Sequence, residues 1–396
     1  MTMTVDTDPT APARYPVVLI TGFLGSGKTT LLAQLLRHPG MNNTAVIVNE
    51  FGEIGLDHML VETPDEEMVL LNSGCLCCSI RGDLVNTLSQ LLLRRHAGEI
   101  PAFDRVVVET TGLADPAPIL HTVLTDEAVS PHFLLDSVIT VVDAVNGGGQ
   151  LDRHFESVKQ AAVADRIVLS KTDLATRETI DPLLGRLAKL NPGADILEVT
   201  QGVVEPDTLL NFGTDGRRSR QLDMTDWLRE SGQAAEQSND HHAQHDHEHD
   251  GHHGAEPHAH HNHDADIRTF SVVRETPVEP AGLELWLNML SGFRGPNLLR
   301  VKGLLNVAGD PVVVHAVQHL FHDPIALSKW PSDDRRSRIV FITHKLERDE
   351  VEKTLQALDL STDKSADTPA DSPFDTDTYE KFVKAMQSFG GSEKSS

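Results

Sequence analysis

The sequence predicts an α/β domain with a mostly parallel sheet, followed by a small α+β domain. Three observations carry this. Short apolar runs without polar alternation recur between longer helical stretches across residues 15–212. A segment of sharply different composition interrupts the chain at 213–266. Beyond it, apolar runs resume in a shorter set that reads as a mostly antiparallel sheet. At roughly 150 residues per domain, a chain of 396 residues holds two folded units and some unfolded chain.

Taken in order, residues 1–14 are polar and proline-containing and read as a disordered arm. The β-type runs that follow are PVVLI (16–20), TAVIV (44–48), EMVLL (67–71), RVVVE (105–109), SVITVVD (137–143) and RIVLS (166–170). Strands buried on both faces of a parallel sheet lose the alternation of half-exposed ones, as here. Helical segments such as 28–37 and 83–95 lie between them, and such alternation gives layered α/β packing. Within 213–266, the stretch 241–263 holds eleven of the 21 histidines and almost nothing large and apolar. It cannot offset its own ordering entropy and reads as a disordered linker. Order resumes with a strand at 267–275, a helix at 279–290, strands at 298–307, 311–321 and 337–345, and a helix at 347–358. Residues 361–396 form an acidic tail with one helical turn expected near Tyr379–Met386.

Charge and cysteine usage exclude whole function classes. Lys plus Arg number 34 and Asp plus Glu 59, so the net charge is 34 − 59 = −25. A nucleic-acid partner needs a cationic footprint, and an anionic membrane face would repel this chain. No run of ~20 apolar residues exists to span a bilayer. The first fourteen residues lack the plan of a signal peptide, so a cytoplasmic protein is expected. All three cysteines, Cys75, Cys77 and Cys78, fall within four residues. A disulfide framework spreads its cysteines, whereas clustering in a reducing compartment points to metal binding.

GFLGSGKT, from Gly22 through Phe23, Leu24, Gly25, Ser26, Gly27 and Lys28 to Thr29, fits G-x-x-x-x-G-K-[ST] between a strand and a helix. The fold class is therefore a P-loop NTPase. The glycines let backbone N–H groups close around phosphates at a helix N-terminus. Lys28 would neutralise the β and γ phosphates, and the Thr29 hydroxyl would hold Mg²⁺. VVVETTG ends a strand in Glu109, where a carboxylate reaches Mg²⁺, and Gly112 follows to sense the γ-phosphate through its N–H. IVLSKTD delivers Ser170, Lys171, Thr172 and Asp173, which resemble a guanine-reading N-K-x-D sequence with Ser for Asn. Asp173 would accept from guanine N1–H and N2–H₂, and the Lys171 stem would cover the base.

SGCLCCS puts three sulfurs where neighbours make poor disulfide partners. Three thiolates suit one soft ion such as Zn²⁺ or Cu⁺, and less readily Co²⁺. They leave a coordination position open, as a site that hands its metal on requires. NEFGEIGLD (49–57) adds Glu50, Glu53 and Asp57 to the same interval.

Together, GFLGSGKTT, NEFGEIGLD, GCLCC, ETTGLADP and SKTD, in this order, resemble the CobW-type family of GTP-dependent metallochaperones, in its zinc chaperone branch. The likeness covers about 15–212 and 267–357. It implies a Mg²⁺-dependent GTPase with Lys28, Thr29 and Glu109 at the reaction; the sequence nominates no catalytic Gln or Arg, so slow intrinsic turnover is expected. It implies GTP contacts over Gly22–Thr29, at Cys78, Ser79, Ile80, Arg81 and Gly82, and at Ser170–Asp173. The transferred metal, zinc or cobalt, would sit on Cys75, Cys77 and Cys78, with Glu53 at a matching family position. The recipient would be a client apo-metalloprotein, and the histidine stretch would buffer metal. Three other readings stay open at this stage: a regulatory GTPase with a structural metal, a cobalt-delivering activator in cobalamin or nitrile hydratase maturation, and an ATP-dependent small-molecule kinase.

Overall fold

The computed structural model describes residues 14–48, 68–70, 76–79, 84–210, 266–292, 297–318 and 320–359. Outside them lie the arm, the 49–57 segment with Glu53, Cys75, Ile80, Arg81 and Gly82, the histidine-rich stretch and the acidic tail. Two compact units divide between Thr269 and Phe270.

The first unit is an eight-stranded sheet with spatial order β3-β4-β2-β5-β1-β6-β7-β8. Its strands are β1 (Tyr15–Gly22), β2 (Thr44–Val48), β3 (Met68–Leu70), β4 (Leu76–Ser79), β5 (Arg105–Glu109), β6 (Phe133–Asp143), β7 (Arg166–Ser170) and β8 (Asp195–Glu198). Every pairing is parallel except β3 with β4. That exception corrects the reading of 67–71 as one more buried parallel strand. Only five residues separate β3 from β4, and a parallel return needs a crossover of a dozen or more. The cysteine segment is also not simply a turn, because Cys77 and Cys78 lie within β4, opposite Val46 and Ile47 of β2.

Helices cover both faces of the sheet. On one, α1 (Lys28–Leu35) sets Leu31, Leu32 and Leu35 against Ile20, Val46, Val107, Val141 and Val168. On the other, α5 (Phe155–Val163) and α6 (Arg177–Leu190) set Val158, Ala161, Leu183 and Leu187 against Val142, Ile167 and Leu169. Successive strand residues alternate between the two clusters, which is why the runs carried no polar alternation.

The second unit is a six-stranded sheet. Strand β10 (Leu298–Val307) lies between β11 (Asp310–Val317) and β14 (Ser337–His344), antiparallel to both. The helix Pro280–Gly292 buries Leu283, Trp286 and Leu290 against Val301, Leu305 and Phe341. The predicted strand 311–321 breaks in two because Gln318 turns the chain at φ 54°, and β12 (Leu320–Phe321) folds back on β11. The last helix, Arg348–Thr354, starts at a capping box made by Glu347 and Glu350.

Candidate functional site

Parallel register brings the carboxyl ends of four strands to one edge. Glu109 lies opposite Ile20, Gly22 opposite Val141, and Asp143 opposite Ser170. Open α/β sheets bind ligands in the crevice at such ends.

The phosphate loop runs from Gly22 into α1. Gly22, Gly25 and Gly27 take φ of 141°, 72° and 97°, a region L side chains rarely enter. The buried Lys28 ammonium donates to the carbonyls of Gly22 at 2.9 Å and Phe23 at 3.2 Å, which holds it over the loop. The Thr29 hydroxyl donates to Glu109 Oε1 at 2.7 Å. A hydroxyl beside a buried carboxylate at a phosphate loop is a donor set that fits Mg²⁺, with Thr29 and Glu109 as the groups that would hold it. A Cβ on Gly112 would meet Leu24 N at 2.5 Å, so this residue rides directly on the phosphate loop.

Beside it, a cleft of about 200 Å³ opens between Gly27, Thr30, Ser170, Lys171, Asp173 and Gln201. Ser170, standing where Asn was expected, is buried, with Oγ 2.5 Å from the Ser26 carbonyl and 3.2 Å from that of Val142. It ties the base-side loop to the phosphate loop. Lys171, at φ 56°, donates to the Gly25 carbonyl at 2.7 Å and to Asp143 Oδ2 at 2.8 Å. Its stem is thereby stretched along the cleft. Asp173 is exposed at the rim.

Several residues here escaped the sequence reading. Asp143 is one. Burial raises its pKa, but bonds from Lys171, the Asn146 side chain, and the backbones of Val145 and Asn146 outweigh that and hold the carboxyl below its ordinary range. A lowered carboxyl stabilises the fold above its unfolded pKa and loses that contribution only as pH falls through the lowered value. The anchor is therefore intact at neutral pH. Asp143 ends a strand as Glu109 does, and that position was the available signal. Val199–Gly202, after β8, closes the cleft, with Thr200 3.0 Å from the Thr172 hydroxyl. Replacing Asp143 by Asn removes the charge that holds Lys171. At about 1.5 kcal/mol for a charge-assisted bond, the KM for GTP should rise roughly tenfold, with kcat little changed. Steady-state kinetics checks this.

Register also relates the cysteine strand to this edge. Ser79 of β4 and Glu109 of β5 both stand opposite Val48, one on each side of β2. Two strand spacings separate them, about 10 Å. Among the described residues, no group of three or more His, Cys, Asp or Glu could hold a metal. No helix among them is long and apolar enough to cross a membrane.

Comparison with known proteins adds to this geometry. The nucleotide-binding domain of the CobW/HypB/UreG family matches residues 16–198, and the cobalamin synthesis protein CobW C-terminal domain matches 267–359. The zinc chaperone YjiA of Escherichia coli is 33% identical over 344 residues, 86% of this chain and 98% of that protein. The zinc chaperone CobW of a Sinorhizobium species is 27% identical over 381 residues, 87% of this chain and 97% of its own. The crystal structure of Zn(II)-bound YjiA GTPase superposes with a TM-score of 0.63 at 31% identity, covering 87% of this chain and 99% of that one.

Proposed function

Since the chain belongs to the CobW/HypB/UreG family and is a GTPase, we propose that it uses GTP to load zinc onto a client apo-metalloprotein. Cys75, Cys77 and Cys78 are the carriers of that zinc in this reading. The supporting observation is the register just described. The strand bearing Cys77 and Cys78 is level with Glu109 across one intervening strand. A change around the γ-phosphate has only β2 to cross before it meets the cysteine strand. Relatives named as zinc chaperones and zinc-regulated GTPase metalloprotein activators favour zinc over cobalt. Clustered thiols suit a cytoplasmic setting.

In this mechanism the N–H groups of Gly22–Thr29 and the Lys28 ammonium hold the β and γ phosphates. Thr29 and Glu109 would hold Mg²⁺, which supplies charge neutralisation at those phosphates when bound. Lys171 and Asp173 orient the guanine, and Gly112 senses the γ-phosphate from its seat on Leu24. Water attack releases phosphate and frees Gly112. The thiolates then yield zinc to a client docked in part on the C-terminal unit. Glu53, outside the described residues, is a further ligand of the metal in this reading.

The test is zinc stoichiometry and affinity with and without Mg²⁺–GTP, for wild type and the Cys75/Cys77/Cys78→Ser variant. One cysteine-dependent zinc should tighten roughly tenfold or more with GTP and loosen on hydrolysis. Zinc affinity indifferent to nucleotide would leave a GTPase with a structural metal.

A further inference from the structure

The geometry points to Gln160 as a positioning residue for GTP hydrolysis, acting through the loop that follows Glu109. This rests on the phosphate-site reading above and goes past it, because neither fold nor family match gives Gln160 a role. Gln160 sits on α5 and is fully buried. Its side-chain amide donates to the carbonyls of Gly112 at 3.2 Å and Ala114 at 3.0 Å. Its own backbone carbonyl accepts from the Thr140 hydroxyl at 2.6 Å, which locks this turn of helix to β6. A single side chain therefore fixes two peptide planes of the 110–116 loop against the sheet.

Gly112 is held from the other side as well. Its Cα lies so close to Leu24 that no Cβ fits between them. The γ-phosphate-sensing residue is thus clamped between Gln160 and the phosphate loop. The rest of α5 strengthens the frame. Lys159, its neighbour, pairs with Asp115 Oδ2 at 2.9 Å, while Asp115 Oδ1 accepts from Ala117 N at 3.0 Å to start the next helix. Just before α5, the His154 ring stacks on Phe23 of the phosphate loop, centroids 4.5 Å apart and planes 28° apart. This helix and the residue that caps its start touch both loops that must cooperate around the γ-phosphate.

Packing alone does not account for glutamine here. Of the other buried residues on α5, Val158, Ala161, Ala162 and Val163 are apolar and Ser157 is a small hydroxyl, and Gln160 Oε1 is buried without a hydrogen-bond partner among the described residues. An apolar side chain of the same length would fill the space and remove the unpaired Oε1. What it would lose is the pair of bonds to the loop.

The experiment compares full-length wild type with Gln160→Met and Gln160→Glu, each normalised to its mant-GDP binding sites so that only folded protein is counted. Gln160→Met keeps the length and removes the donor. Its kcat should fall roughly tenfold, as misplacement of a reacting geometry does, while KM for GTP and Kd for mant-GDP stay within about twofold. Gln160→Glu supplies a donor only when its carboxyl is protonated. Its kcat, divided by that of Gln160→Met at each pH, should fall as pH rises. Lys159, Asp115 and His154 are common to both variants and cancel in that ratio. Unchanged kcat in Gln160→Met overturns the proposal, as does a parallel loss of kcat and mant-GDP affinity, or a ratio flat with pH. Full hydrolysis by Lys28→Ala would instead sink the phosphate-site reading, so the two failures are separable.

Discussion

Lys28→Ala is expected to cut GTP hydrolysis by roughly 10²–10³-fold or more, the usual cost of losing one preorganised charge at a reacting phosphate or oxyanion. The ammonium is buried and held over the loop by two carbonyls, while the Lys171 ammonium beside the same loop is engaged by the Gly25 carbonyl and Asp143. Nucleotide binding should weaken with it, while cysteine-dependent zinc binding in the absence of nucleotide should persist in part. Phosphate-release kinetics and mant-GTP titration provide the check. Wild-type turnover in this variant would mean that the phosphates bind elsewhere.

The largest effect on stability is expected at Gly22. A Cβ there would lie 2.3 Å from the Val141 carbonyl and 2.9 Å from Ser26 Oγ, at a φ of 141°. Relief requires β1 and β6 to part at the centre of the sheet. Gly22→Ala should therefore cost about 3 kcal/mol, combining backbone strain and overpacking. For a unit of this size that is a fall of roughly 6–12 °C in Tm, with loss of GTP binding. Gly25→Ala is the control. Its φ of 72° is also left-handed, but nothing lies within 4 Å of the new methyl. Its cost should stay near 1 kcal/mol. Thermal unfolding of both variants decides, and a Gly22→Ala shift no larger than that of Gly25→Ala would refute the steric argument.

These two predictions rest on residues that were legible in the sequence, and the reason is physical. A phosphate loop is contiguous, so Gly22 through Thr29 announce it by spacing alone, as SKTD does the base-side loop. The parallel strands were legible because burial on both faces removes polar alternation. Residues whose role depends on distant parts of the chain stayed hidden. Gln160 meets Gly112 across 48 residues, and Asp143 meets Lys171 across 28. In the sequence one is a polar residue on a helix and the other a strand end. The direction of β3 was misread because its partner β4 lies hidden in the cysteine-rich segment; once β4 is placed, the five residues between them leave room only for a hairpin. β8, with its exposed first and last residues, lacks the apolar signature that marked its neighbours.

The sheet order β3-β4-β2-β5-β1-β6-β7-β8 is also an order of mechanical constraint. The nucleotide site is centred on β5, β1, β6 and β7, each hemmed in by two others, so any change there is felt by both neighbours. The cysteine strand is next to last on one flank, with a three-residue strand beyond it. Removing or rewriting that corner would leave six strands in an unbroken run. Under the function proposed above, a change of cargo ion would need edits only at this border of the sheet, with the strands around the nucleotide left as they are.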